Sequence, residues 1–306
     1  MKLYYSDTFE LPLPDNHRFP MAKYTLLRER IAAAQWQAAC ELRLPPAATD
    51  EELLLAHSAE YIASIKSGNM TDLQIRRIGF PWSEKMVERS RRSTGATIAA
   101  AESAIKDGIS ANLAGGTHHA FESSGQGYCV FNDVCVAARV IQKRFSNIQN
   151  VLVVDCDVHQ GNGTAGIAKN DPHLFAFSVH CEKNYPFQKT DGDFDIALAP
   201  ATKDDYYLAQ LKTGMDLVFR RFKPDFVFYL AGADPFEGDR LGLLSLTKQG
   251  LRERDELVIH YCRDQELPLA LSMAGGYAPQ IDDIVDIHLA TIEVAHHRLL
   301  RDRIGV

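Results

Sequence analysis

Two segments of the chain, VLVVD at 151–155 and FVFYLA at 226–231, are apolar at nearly every position. A strand with one wet face alternates apolar and polar residues. A strand without alternation is buried on both faces, as in a parallel sheet covered by helices. Leu3–Tyr5, Ala111–Ala114, Leu174–Val179 and Leu269–Met273 read as further strands beside Val151–Asp155 and Phe226–Leu230. The stretches between them are longer and amphipathic. They predict helices over Met21–Ala39, Glu51–Lys66, Glu84–Lys106, Val134–Phe145, Asp205–Phe222, Lys248–Gln265 and Ile281–Leu300. Thr247 suits the N-cap of the sixth helix, and Asp204 or Lys203 the start of the fifth. Alternating β and α units imply a three-layer α/β/α sandwich around a mostly parallel sheet, with right-handed crossovers. No linker rich in Pro, Gly or Ser divides the chain, so residues 1–306 are expected to form one domain. Long loops are expected at 68–83, 115–130, 181–200 and 232–246, and such loops are often functional.

Composition removes whole classes of function. Hydrophobic residues are 46% and charged residues 24%, which excludes a disordered chain. Lys plus Arg is 33 against 40 Asp plus Glu, a formal charge of −7. That argues against an electrostatically driven nucleic-acid partner and leaves room for a cationic peptide or polyamine. Six cysteines without a CxxC motif form neither a disulfide framework nor a thiolate zinc site, so they read as reduced, mostly buried thiols. The N-terminus turns polar within ten residues, and no run reaches the ~20 apolar residues of a membrane span. The expectation is a cytoplasmic protein with no membrane contact; its oligomeric state is left open.

Four of the buried strands end in unusual chemistry. They run into Gly115-Gly116-Thr117-His118-His119, Asp155-Cys156-Asp157-Val158-His159, Ala233-Asp234-Pro235 and Gly275-Gly276-Tyr277. In open α/β sheets, ligands bind outside the carboxyl ends of the strands. In an extended chain Asp155, Asp157 and His159 share one face, and two carboxylates beside an imidazole call for a cation. Asp157 and His159 can reach one ion, Asp234 can be the third ligand, and Asp155 can orient a neighbour. Asp, His and Asp with an open position is a catalytic pattern that suits zinc and accepts Fe(II), Co(II) or Mn(II). Read singly, an Asp-Pro such as Asp234-Pro235 is more often a solvated turn. Histidines 118 and 119 follow two glycines that let backbone approach closely, and one beside a metal-activated water can serve as general base and then acid. Asp155 and Asn162 are the candidates to fix its tautomer. Tyr277, on a flexible Gly-Gly hinge, can donate to a developing oxyanion; alone it would read as a packed loop tyrosine. His296-His297 reads as a solvated pair on the last helix.

The chain resembles the histone deacetylase family, within the arginase–deacetylase fold class. The matching stretches are GGTHHA, GYCVFND, DCDVHQGNGT, the Ser178-Val179-His180 strand end, AGADPFEGDRLG and AGGY, in family order over residues 17–280. HRFPMAKY, RRIGFPWS, HQGNG, NYPF and EGDRLG resemble the class IV branch and its bacterial relatives. The resemblance implies one catalytic Zn²⁺ on Asp157, His159 and Asp234, with Fe²⁺ or Co²⁺ as other possible ions. It implies His119 as general base and acid, and His118 as an electrostatic partner backed by Asp155. Tyr277 would polarise the amide carbonyl. Gly127 and Tyr128 would line the acyl-lysine channel, with Gly275 and Gly276 also facing substrate. It further implies a monovalent cation such as K⁺ held by Asp155, Asp157, His159, Ser178 and Val179, and places Arg18 on an internal acetate-exit path.

The expected activity is therefore zinc-dependent removal of acetyl or longer acyl groups from lysine. The same residues would serve an acetylpolyamine or other small acyl-amine amidohydrolase. Most of the family has His and Asp where this chain has Gln160 and Asn162, which should leave His119 more easily neutral. A binuclear manganese hydrolase of the arginase type needs bridging carboxylates where Gly161 and Gly232 stand. A catalytically dead binding relative would have lost one of these residues, and none is lost.

Overall fold

The computed structural model describes residues 1–15 and 17–304. Eight strands form one sheet: β1 (Lys2–Tyr4), β2 (Glu41–Arg43), β3 (Ile109–Asn112), β4 (Val151–Asp155), β5 (Leu174–Cys181), β6 (Phe194–Leu198), β7 (Phe226–Leu230) and β8 (Leu269–Ser272). Every pairing is parallel, in the order β2-β1-β3-β8-β7-β4-β5-β6. The expected α/β/α sandwich is thus observed, with an all-parallel centre. The helices are α1 (Ala22–Ala33), α2 (Asp50–Leu53), α3 (Ala59–Ser67), α4 (Asp72–Ile78), α5 (Glu84–Asp107), α6 (Asp133–Arg144), α7 (Asn162–Ala168), α8 (Asp204–Arg221), α9 (Lys248–Arg263) and α10 (Ile281–Ile304).

The uninterrupted apolar strands are buried on both sides, as their sequences require. Leu152 and Val154 face one apolar core with Val227, Tyr229, Leu269 and Leu271; Val151 and Val153 face the other with Phe226, Phe228 and Ala270. Helices α1, α8, α9 and α10 cover the first face, and α5 and α6 the second. Local signals set the helix ends. Thr247 accepts from the Gly250 N–H (2.9 Å), and Asn132 caps α6 by accepting from the Cys135 N–H (3.1 Å). Lys203 precedes α8 without a side-chain cap, and Asp204 instead accepts from Thr247.

Several elements differ from their sequence reading. Strands β2 and β6 are short edge strands, and ELR and FDIAL carry too much polarity to stand out. The helix expected over Glu51–Lys66 is two, because the chain turns so that His57 can accept from the Asn132 N–H (2.9 Å) before Ser58 caps α3. The first helix stops at Ala33, short of Ala39. The loop expected at 68–83 holds α4, started by a Thr71–Gln74 capping box and closed by Gly79 at φ +85°. The loop expected at 181–200 holds β6. His296 is buried rather than solvated, stacked on Trp36 with ring centroids 5.3 Å apart; His297 is exposed. All six cysteines are free and buried. Among the described residues no helix is long and apolar enough to cross a membrane.

Arg254, fully buried on α9, ties the sheet to the loops above it. Its Nη1 donates to Gly232 O (2.6 Å) and Cys156 O (3.3 Å), and its other nitrogens to Asp255 Oδ1 (3.0 and 2.8 Å). Tyr229 and Thr291 hydroxyls complete the shell of Asp255. Arg254→Met leaves Asp255 buried without its cation and should cost about 3–5 kcal/mol of stability. Urea unfolding measures it; a loss under about 1 kcal/mol would mean the network relaxes freely.

Candidate metal centre

Strands β3, β8, β7 and β4 are neighbours, so the segments leaving their carboxyl ends meet over the middle of the sheet. Strand β4 ends at Asp155, and the pleat expected to align Asp155, Asp157 and His159 does not continue. Two side-chain-to-backbone turns replace it. Asp155 Oδ1 accepts from the Asp157 N–H (3.1 Å), and Asp157 Oδ1 from the His159 N–H (2.9 Å). From β7, Asp234 arrives with Oδ1 accepting from the Val158 N–H (2.9 Å). His159 Nδ1 then lies 2.9 Å from Asp157 Oδ1 and 3.1 Å from Asp234 Oδ2. One ligand atom from each of the three residues lies within 4.8 Å of the others, and all three are buried.

The fourth strand closes the group. The Gly275 N–H donates to Asp157 Oδ2 (2.8 Å), and a Cβ at this position would stand 2.0 Å from Asp234 Oδ2. Only glycine permits that approach. The expected Gly-Gly hinge is not a hinge, because every neighbour clamps it. The Tyr277 N–H donates to Asp239 Oδ2 (2.6 Å), and Tyr277 O accepts from Arg240 Nε (3.1 Å). From below, buried Lys23 donates to Gly276 O (3.2 Å) and more weakly to Ala274 O (3.4 Å).

The two histidines have different partners. His118 Nδ1 donates to Asp155 Oδ2 (2.6 Å), and His119 Nδ1 donates to Asn162 Oδ1 (2.7 Å). Burial opposes a charge on His118, but Asp155 and Asp157 outweigh it and push its pKa up to about 9. For His119, burial and the charges of His118 and His159 act together and hold its pKa well below the ordinary value. Burial, then the neighbouring Asp157, pushes Asp234 up to about 7. The donor set of two oxygens and one nitrogen, open on the cavity side, fits a divalent ion.

The site floors a cavity of about 490 Å³. Phe19, Tyr128, Tyr185 and Tyr277 form much of its wall, with Gly127 beside them. Gly127 (φ +56°) and Tyr128 (φ +64°) both take left-handed backbone, and a Cβ on Gly127 would stand 2.7 Å from His119 Cδ2. Tyr185 packs edge-on against His119 at 4.9 Å between centroids. Of the sequence-derived site residues, His118, His119, Asp157, His159, Gly127, Tyr128, Gly275 and Tyr277 line this cavity. Asp155, Asn162 and Asp234 sit one layer behind, and Gly276 O faces Lys23. Ser178 pairs in register with Asp155 on the far side. Arg18 is exposed. Lys23, Tyr185 and Asp239 stand within HRFPMAKY, NYPF and EGDRLG, stretches that carry the family resemblance, but sequence alone assigns them no role: what each touches becomes visible only when the strand ends are in space.

The histone deacetylase domain matches residues 17–292. The chain belongs to the histone deacetylase family. An uncharacterized protein of Picosynechococcus sp. is 41% identical over 97% of both chains. Histone deacetylase 2 of Arabidopsis thaliana is 32% identical over 76% of this chain and 62% of its own, and the acetoin utilization protein AcuC of Staphylococcus aureus 28% over 86% and 72%. A histone deacetylase homolog from Aquifex aeolicus has the same fold, with TM-score 0.80 at 23% identity over 96% of this chain and 83% of that one. A catalytic metal ion is what this family's fold implies, and the buried Asp-His-Asp group suits one.

Gly275→Ala forces a methyl group onto Asp234. Divalent-ion affinity, measured by calorimetry on chelator-stripped protein, should fall ~10–100-fold. Wild-type affinity would mean the carboxylate moves aside without consequence.

Proposed function

We propose that the protein is a zinc-dependent amidohydrolase that removes acetyl or longer acyl groups from lysine side chains, with residues 1–306 as a single catalytic domain. The observation that carries this reading is His119, oriented by Asn162 and with its pKa held well below the ordinary value by burial, beside the Asp157–His159–Asp234 group at the floor of an aromatic-walled cavity. A divalent ion held by those three residues would supply Lewis-acid polarisation of the amide carbonyl and lower the pKa of the attacking water.

The chain's own residues do the rest. With Asn162 Oδ1 accepting from Nδ1, the His119 ring keeps the lone pair of Nε2 for the cavity. That nitrogen takes the proton of the attacking water and returns one to the leaving amine. His118, held as a cation by Asp155, steadies the negative charge that develops nearby. The Tyr277 hydroxyl, with its pKa well above the ordinary value through burial and the Asp234 and Asp157 charges, stays protonated and donates to the oxyanion. Gly127 and Tyr128 frame the acyl-lysine chain. The class IV resemblance fits Gln160, whose amide donates to Thr190 O (2.7 Å) and Asp195 Oδ1 (3.0 Å) and so pins the strap beside the cavity. A monovalent cation such as K⁺ on Asp155, Asp157, His159, Ser178 and Val179 belongs to the same reading.

The direct test is turnover of an acyl-length series of lysine peptides by protein of measured metal content. Hydrolysis that follows zinc content supports the reading, and zinc-loaded protein without turnover of any acyl-lysine overturns it. Tyr277→Phe should keep metal and fold and lose roughly 10²-fold or more in kcat, the size of one oxyanion donor. A change confined to KM would mark Tyr277 as a binding residue instead.

Asn162→Asp tests the relay. A carboxylate 2.7 Å from Nδ1 favours imidazolium and raises the His119 pKa. His119 must be neutral to accept a proton, so the acidic limb of the kcat/KM profile should move to higher pH, with zinc content unchanged. A profile superimposable on wild type would remove Asn162 from the relay and leave it a turn residue.

A further inference from the structure

We propose that the mouth of the cavity selects acyl-lysines flanked by acidic residues, through Arg76, Arg77 and Lys183. This rests on the lysine-deacylase reading above and narrows its substrate class.

Arg76 and Arg77 belong to the last turn of α4 and open the stretch RRIGFPWS. Both line the cavity, both are exposed, and neither makes an ion pair among the described residues. They do not hang on a loose loop. The Gly127 N–H donates to Arg77 O (2.9 Å), and the Tyr128 N–H to Ile78 O (2.7 Å). The backbone of the arginine pair is therefore fixed to the same channel wall that frames the acyl chain. Lys183 also lines the cavity and is 68% exposed, with the Glu182 carboxylate near it at 3.8 Å. Phe187, 90% exposed, offers an apolar contact beside it.

Among the described residues that line the cavity, Asp157 is the sole carboxylate, and it is buried at the floor. The lip is thus cationic in a chain whose formal charge is −7. The three cations have no structural counter-ion to satisfy beyond Glu182, so their free valence faces whatever enters. An acylated polyamine would bring its remaining ammonium groups against three like charges. An acyl-lysine peptide with Glu or Asp on either side would meet complementary charge, with Arg able to bind carboxylate bidentately. Exposed pairs of this kind are individually weak and salt-sensitive, so the effect is a preference rather than an absolute requirement.

The experiment uses the zinc-loaded full chain and three acetyl-lysine peptides that differ only in their flanking residues, Glu, Ser or Lys, with an N-acetylated polyamine as fourth substrate. The expected kcat/KM order is Glu, Ser, Lys, with Glu over Lys about tenfold at low ionic strength and the gap shrinking as salt is raised. The acetylpolyamine should fall below the Ser peptide. In the R76Q/R77Q double variant the Glu-to-Lys ratio should drop to within about threefold. Equal rates on all three peptides, a preference for Lys flanks, or a double variant with the wild-type ratio would each overturn the selection while leaving the deacylase reading intact. Turnover of the acetylpolyamine with none of any peptide would overturn the lysine reading, and this proposal with it.

Discussion

Asp157 and Asp234 are two carboxylates placed side by side in the interior, and the centre of the molecule is arranged around that. Their mutual repulsion in a low-dielectric setting would unmake the site unless donors surround them. The chain supplies His159 between them and backbone N–H groups from Val158, His159 and Gly275 around them. These donors come from the ends of β4 and β8, and Asp234 from β7 between those two strands, so the arrangement holds only if three adjacent strands end in register. Arg254 secures that from beneath by gripping Cys156 O and Gly232 O, one on each side of the carboxylate pair.

The same economy separates two adjacent histidines. His118 and His119 have ring centroids 4.1 Å apart, a distance at which two imidazolium ions would repel strongly. Asp155 fixes the charge on His118, and Asn162 orients His119 without charging it. A carboxylate behind each ring would favour two cations; an amide behind each would leave the developing negative charge without a nearby positive one. In the proposed reaction, one of each gives a division between a charged and a basic imidazole that needs no rearrangement. An amide at position 162 therefore changes the charge behind His119 and keeps the hydrogen bond.

Much of this was legible in the sequence, and the failures are informative. VLVVD and FVFYL announce strands buried on both faces, which led to a parallel sheet and so to strand ends as the place to look. Asp157, His159 and Asp234 were found by that route, and the structure brings them together. Its local reason was different: the turns made by Asp155 and Asp157, rather than strand alternation, aim the side chains. Strands β2 and β6 escaped because an edge strand needs no apolar run. Helix α4 escaped because seven largely polar residues show little periodicity, although Thr71 and Gln74 carried a capping signal. Lys23, Asp239 and Tyr185 act only across long sequence distances, where a single sequence offers no pairing information.

The clamp on Tyr277 shows why such distant residues matter. Two adjacent glycines suggest mobility, yet Gly275 is required by the closeness of Asp234 and not by motion. Lys23 sits fully buried beneath the segment, its ammonium 5.3 Å from the Tyr277 ring centroid. Burial lowers its pKa to about 8, with Asp234, Asp157 and Asp239 acting to keep it charged. A buried cation is costly unless its surroundings are anionic, and here they are the metal-binding carboxylates of the proposed centre. Lys23 therefore serves both: its charge offsets theirs, and its hydrogen bonds hold the carbonyls on either side of Gly275. The hydroxyl that would meet the oxyanion is aimed before substrate arrives. Such preorganised donors are effective because nothing has to reorganise as charge develops.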